Sequence, residues 1–390
     1  MEASTPGPDD RRDRTVRWNA MSIGAAHRGS KQPGARRGSL PGAIIRVGFR
    51  MTALAIAMLA FFAPSHAVAS RTVGLFMLYN VDARLDTASL QRPYIRGLAL
   101  QLGWRHIEPS EGVFDWSQVD RAFEAARAAG KLVSLHLLPG RPPEWLSRSG
   151  VQTYSRQLAN RSDPRYGQAI IEPLGWDPVF LEKWGNVVKR LGARYGRHPS
   201  LFAVGVTAPY SEMVIKGSFP LHSETSRNLR QLYRRDVYLR AWRNMIDVYG
   251  EAFPGKAIFV APGVVFDDAY FADEVMSYAF LRFADNLWAF NAGLRAVFPT
   301  RNPQMEHIYS LLSQYAERAN LGFQMIWSQS GDRANQLQGS LRESLMNGIR
   351  HGAGYMEVYQ ADVRNPSLQE DLRYVAGVLH STPARAGARR

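Results

Sequence analysis

From Arg71 onward the chain alternates short, almost wholly apolar runs with segments whose apolar residues return every third or fourth position. The runs read as strands buried on both faces and the other segments as amphipathic helices. Strands are predicted at Thr72–Tyr79, Gly97–Ile107, Lys131–Leu138, Leu201–Ala208, Ala257–Val265, Asn286–Phe290, Leu321–Ile326 and Tyr355–Tyr359. Between them, Ser117-Gln-Val-Asp120 opens a helix with Ser117 as N-cap and an acid three residues on. Val119, Ala122, Phe123 and Ala126 form its buried face and Gly130 supplies the stop. Asp177-Pro178 caps a second helix, in which Phe180, Leu181, Trp184, Val187, Val188 and Leu191 recur at helical spacing. Further helices are predicted over Arg230–Tyr249, Met305–Arg318, Leu337–Gly348 and Leu368–His380, with Trp184 and Trp242 facing the core. Residues 141–176 read as one long loop, a length that usually carries function. Eight strands alternating with helices predict an α/β fold of the (β/α)₈ TIM-barrel class over residues 70–380. A doubly wound sheet would want a glycine-rich phosphate turn, and neither G-x-G-x-x-G nor G-x-x-x-x-G-K-[ST] occurs.

The head of the chain follows a different pattern. Residues 1–50 have no hydrophobic period, are rich in Gly, Pro, Ser and Arg, and read as a disordered basic segment. Thr52–Ala63 is an uncharged apolar run, shorter than the roughly 20 residues that span a bilayer. Arg46 and Arg50 precede it and Ala67-Val-Ala69 follows, so residues 51–69 read as a signal peptide cut after Ala69. An uncleaved anchor and a buried helix are the other readings of that run. Cleavage predicts an exported, periplasmic or extracellular protein with no stable membrane span.

Composition enters only to close off alternatives. The formal charge is +14, but ten Lys/Arg against four acids lie in residues 1–50, and the basic tail 381–390 adds three arginines. The excess therefore belongs to the ends and not to a patterned face, which argues against a nucleic-acid partner. There is no cysteine, which excludes disulfides and thiolate chemistry. The nine histidines are scattered with no H-x-H or H-E-x-x-H spacing, against a metal-dependent hydrolase, and no cofactor is implied.

Barrel enzymes build their sites where strands end in the C-terminal direction. The residues there are aromatics, amides and carboxylates, the groups that stack on sugar rings, bond hydroxyls and cleave glycosidic bonds. One stretch carries a resemblance. Leu102-Gly-Trp-Arg-His-Ile-Glu-Pro-Ser-Glu-Gly-Val-Phe-Asp-Trp-Ser-Gln-Val-Asp120, Ala129-Gly-Lys131, Leu135-His136 and Pro143-Glu-Trp-Leu146 resemble the second and third units of clan A glycoside hydrolases, such as the family 42 β-galactosidases. The resemblance implies a catalytic acid/base after the fourth strand and a nucleophile after the seventh. Here Thr207-Ala208-Pro209 puts Ala208 where the first glutamate is expected, and the seventh strand offers Gln324.

The remaining carboxylates are Glu212, four residues on, and Glu357, a charge in an otherwise apolar strand that must be paired or face the mouth. The expectation is therefore a secreted glycoside hydrolase acting on an oligo- or polysaccharide. Glu212 would protonate the leaving oxygen and Glu357 would serve as nucleophile or base. Arg105, His136, Tyr210, Asn291 and Gln324 would bond the carbohydrate substrate, and Trp104, Trp145, Trp327 and Tyr359 would stack on it. His136 reads equally as a satisfied core histidine, and Glu108 as a structural brace. The alternative is a catalytically degenerate carbohydrate-binding barrel.

Overall fold

The computed structural model describes residues 72–80, 84–140, 142–157, 166–209, 224–266, 268, 270–299, 302–333 and 335–381. The basic head, the signal sequence and residues 382–390 of the tail lie outside the described residues. Strands in chain order are β1 (Gly74–Asn80), β2 (Ile95–Gly103), β3 (Leu132–Leu138), β4 (Thr153–Gln157), β5 (Ala169–Pro173), β6 (Leu201–Gly205), β7 (Ala257–Val260), β8 (Leu287–Leu294), β9 (Asn320–Met325) and β10 (Tyr355–Tyr359). Eight of them, all parallel, close into a barrel in the order β1-β2-β3-β6-β7-β8-β9-β10 and back to β1. All eight predicted strands take part, but the one predicted over Gly97–Ile107 ends at Gly103, and Trp104–Ile107 is helical. β4 and β5 pair antiparallel as a separate two-stranded sheet inside the predicted long loop.

The helices are α1 (Thr87–Leu90), α2 (Trp104–Ile107), α3 (Ser117–Ala128), α4 (Pro178–Tyr195), α5 (Glu224–Leu232), α6 (Arg235–Ala252), α7 (Phe271–Phe283), α8 (Pro303–Arg318), α9 (Leu341–Arg350), α10 (Gln360–Arg364) and α11 (Gln369–Ser381). Local chemistry sets their starts. Asp177 and Asn302 each accept two N–H bonds from the first turn of their own helix and are followed by proline at the first helical position, where no N–H is needed. Ser340 and Glu343 form a reciprocal capping box that starts α9 later than the predicted Leu337. Ser117 is not the cap of α3. It is the first helical residue, its N–H donates to Asp115 Oδ1 at 2.9 Å, and Trp116 takes the N-cap position. The helix predicted over Arg230–Tyr249 is two helices, because Arg234 is extended between α5 and α6.

Side-chain alternation divides the core into two. Met356 and Val358 point outward from β10 into the layer shared with the helices, where Trp184 and Tyr238 are also buried and Trp242 is only 3% exposed. Phe76, Phe259, Trp288, Phe290 and Tyr355 point inward and fill the barrel. Each such side chain contributes roughly 1.5–3 kcal/mol on burial, so the interior is packed and not a pore. Gly97 on β2 permits the closest approach in the wall: a Cβ there would lie 2.2 Å from the Phe76 ring and 2.7 Å from the Leu132 carbonyl oxygen. Among the described residues no helix is long and apolar enough to cross a membrane.

Candidate functional site

The inward positions of β10 are Tyr355, Glu357 and Tyr359, in ascending order toward the mouth. Glu357 is fully buried, and so is its surrounding group. Its Oε1 lies 2.6 Å from His136 Nε2 on β3 and accepts the Tyr355 hydroxyl at 2.6 Å. Because that phenol proton is committed to Glu357, the Ser134 hydroxyl, 2.6 Å from Tyr355 Oη, is the donor to it. Burial, and then the Glu357 charge, push the Tyr355 phenol well above its ordinary pKa and keep it a donor. The His136 ring packs against Phe259 and Phe290, themselves stacked, at centroid distances of 5.7 and 5.5 Å. Two atoms of this group have no partner: Glu357 Oε2 and His136 Nδ1.

A second polar bridge runs parallel to the first. Gln101 is the register partner of His136, and Gln324 of Glu357. Gln101 Nε2 donates to Gln324 Oε1 at 3.0 Å, so two neighbouring strands on each side are tied by an acid–imidazole pair and an amide pair. Tyr359, one inward position above Glu357, is half-buried, and its hydroxyl is pushed up to about 12, chiefly by burial, so it too remains a donor.

Tyr359 also lines an open cleft of about 670 Å³ where β9 and β10 end, with Trp327, Ser330, Arg364 and Asn365. Its two walls are joined through Asp362, a fully buried carboxylate at the start of α10. Asp362 accepts from the Ser328 hydroxyl at 2.8 Å and from the N–H groups of Gln329 and Ser330 at 3.0 and 2.8 Å. Asn365 Nδ2 adds a bond to Ser330 Oγ at 3.1 Å. Trp327 is 44% exposed, yet its indole N–H is anchored on the Gly331 carbonyl at 3.1 Å.

The expected site residues separate into five groups. Glu357, His136 and Gln324 converge inside the barrel, and Trp327 and Tyr359 line the cleft. Trp104 and Trp145 are not platforms at the mouth. Trp104 is fully buried against Trp145, Phe180 and Trp184, with its N–H on Glu108 Oε2 at 2.8 Å, and Trp145 donates to the Glu108 carbonyl at 3.0 Å. The reason is direction: α2 turns off the end of β2 and carries Trp104 into the strand–helix layer. Glu108 braces that corner, also accepting from Gly112 N at 2.8 Å. Arg105 is exposed on α2 beside His106, and Asn291 bonds the N–H of Gly293 on its own strand. Glu212 and Tyr210 lie outside the described residues. Arg364 and Asn365 were missed, whereas Asp362, which the sequence sets with Glu357 and Tyr359 at the end of the eighth strand, serves as a brace. The signal for Asp362 is an acid three residues beyond the strand in Gln360-Ala-Asp-Val-Arg364. Among the described residues no three potential ligands cluster as a metal site.

The closed parallel barrel is an α/β fold of the (β/α)₈ class and resembles the barrels of clan A glycoside hydrolases. Comparison with known proteins agrees. The profile of glycoside hydrolase family 42, described as β-galactosidase, matches residues 85–251, which run through β2 to α6 and stop short of β9 and β10. The β-galactosidase BbgII of Bifidobacterium bifidum is 25% identical over 206 residues, 49% of this chain and 29% of its own length. GanA of Bacillus subtilis strain 168, also a β-galactosidase, is 30% identical over 144 residues, 34% of this chain and 21% of its own. This chain therefore spans less than a third of the curated relatives it matches. Among solved structures, a β-galactosidase from Halorubrum lacusprofundi superposes with a TM-score of 0.53 at 13% identity, covering 81% of this chain and 59% of that one. At that identity the likeness is one of fold.

Proposed function

We propose that this chain is an exported glycosidase that cleaves an oligo- or polysaccharide at the barrel mouth. The observation that carries the reading is Glu357. It is a buried carboxylate in the barrel interior, with one oxygen held by His136 and Tyr355 and the other, Oε2, without a partner. Burying a carboxylate costs several kcal/mol, about what a paired and hydrogen-bonded geometry returns, so an oxygen left bare asks for a reason. In this reading Oε2 is the atom offered to the sugar once the ring of Tyr359 above it moves aside. Glu212, on the segment that follows β6, protonates the departing oxygen. Glu357 then attacks the anomeric carbon or takes a proton from water, according to whether the carboxyl groups are about 5–5.5 Å or about 6.5–9.5 Å apart. The similarity to β-galactosidases supports a glycosidic bond as the target, and the apolar run 52–63 supports export.

Glu357→Gln and Glu212→Gln are each expected to lower turnover of aryl glycosides and oligosaccharides by at least about a thousandfold. Neither should shift the thermal melt by more than a few degrees. Undiminished hydrolysis by either variant would remove that residue from the chemistry. The sealed position of Glu357, with no surface of its own exposed, favours a second reading in which the barrel binds glycans without cleaving them. Saturable glycan binding with no product from any substrate would decide for it.

A further inference from the structure

We infer that the cleft between the ends of β9 and β10 is a subsite for a sugar unit bearing a carboxylate, a hexuronic acid. The inference rests on the carbohydrate reading above and names its substrate class. The cleft has three properties that matter together. Its floor and lip hold two aromatic side chains, Tyr359 and the exposed Trp327, whose anchored indole presents a fixed apolar plate of the kind that receives the C–H face of a pyranose. Its walls are tied to each other through the three bonds accepted by Asp362 and the bond from Asn365 to Ser330, so a ligand pays little to order them.

The third property is charge. Arg364 is exposed, lines the same cleft and has no hydrogen bond or ion pair among the described residues. The acids around it are committed elsewhere. Asp362 is buried with both oxygens accepting bonds. Asp86, close enough to feel the guanidinium, caps α1 by accepting from Ser89 N and Oγ at 3.1 and 2.7 Å. An arginine beside an aromatic plate leaves its planar fork unused with a neutral sugar. With a uronate the fork makes two parallel charge-assisted bonds while the ring stacks.

The test is titration calorimetry of the full chain with two matched pairs: trigalacturonate and its carboxyl-reduced trigalactoside, and triglucuronate and its reduced counterpart. At least one uronide is expected to bind about tenfold tighter than its neutral partner, and the advantage should shrink as salt rises. In Arg364→Gln the two affinities should converge, with the thermal melt unchanged because Arg364 holds nothing in place. Trp327→Ala should weaken both members of the pair. Equal affinities in the natural protein, or an advantage that survives Arg364→Gln, would overturn the uronate subsite and leave the carbohydrate reading standing. Binding of neither uronides nor neutral sugars would overturn both.

Discussion

The phenol of Tyr355 connects two groups that would each be expensive to bury alone. It donates to Glu357 and accepts from Ser134, and its raised pKa keeps the proton in place over the whole working range. Tyr355→Phe removes both links and leaves a carboxylate one donor short. The expected loss is about 1–3 kcal/mol in urea unfolding. Ser134→Ala on top of it should cost almost nothing more, since its acceptor has already gone. Additive losses would show that the two side chains do not act as a chain. The sequence exposed part of this. Glu357 is conspicuous as a charge in Tyr-Met-Glu-Val-Tyr, and His136 is conspicuous in an apolar strand. Their bond, 221 positions apart, follows only from which strands the closure sets across from each other. Trp104 and Trp327 look alike in sequence, each at a strand end. One turns into the helix layer and the other stays at the rim, and only backbone direction separates them.

At the level of elements, two braces carry testable weight. Asp362 fixes the turn after β9, so Asp362→Ala strands the N–H groups of Gln329 and Ser330. Both amides should exchange with solvent markedly faster, with about 1–3 kcal/mol lost globally. Unchanged protection would mean the turn holds itself. The second brace ties α3 to α4: Asp120 accepts from Arg194 Nη2 at 2.7 Å and from the Tyr195 hydroxyl at 2.5 Å. Burial raises the Asp120 pKa, but the bonds from Arg194 and Tyr195 outweigh it and hold the carboxyl below its ordinary value. A folded pKa below the unfolded one adds stability that is present above about pH 4 and disappears as acid titrates the folded carboxylate. Asp120→Asn should therefore flatten the fall in urea midpoint between about pH 5 and pH 2. An identical slope would dismiss the brace as a pH-sensitive contributor. The barrel strands were legible because an apolar run admits few readings, but the helix α7, which buries Phe271, Val275 and Met276, was not predicted. The hairpin β4–β5 was not: Thr153-Tyr-Ser-Arg-Gln157 buries Tyr154 between exposed Thr153 and Ser155, a pattern too weak to separate from a loop.

Across the whole molecule, stability depends on closing the ring of strands around a crowded interior. Gly97 is where wall and filling come closest. Gly97→Ala puts a methyl group into the Phe76 ring and against a backbone carbonyl, neither of which can retreat without disturbing β1 or β3. The expected cost is about 1–3 kcal/mol, read as a lower melt by far-UV dichroism and tryptophan fluorescence together. A variant as stable as the parent would show that the barrel yields more than its packing suggests.

Ring closure has another outcome. Every strand of the barrel has a neighbour on both sides, so the large sheet offers no backbone donors or acceptors to a foreign chain. Among the described residues, only the two-stranded sheet β4–β5 has flanks without a strand partner, and Ile171 on it is 67% exposed. Template-like recruitment of extended polypeptide, whether in clumping at high concentration or in capture of a peptide, is thereby channelled to that small ribbon and away from the barrel.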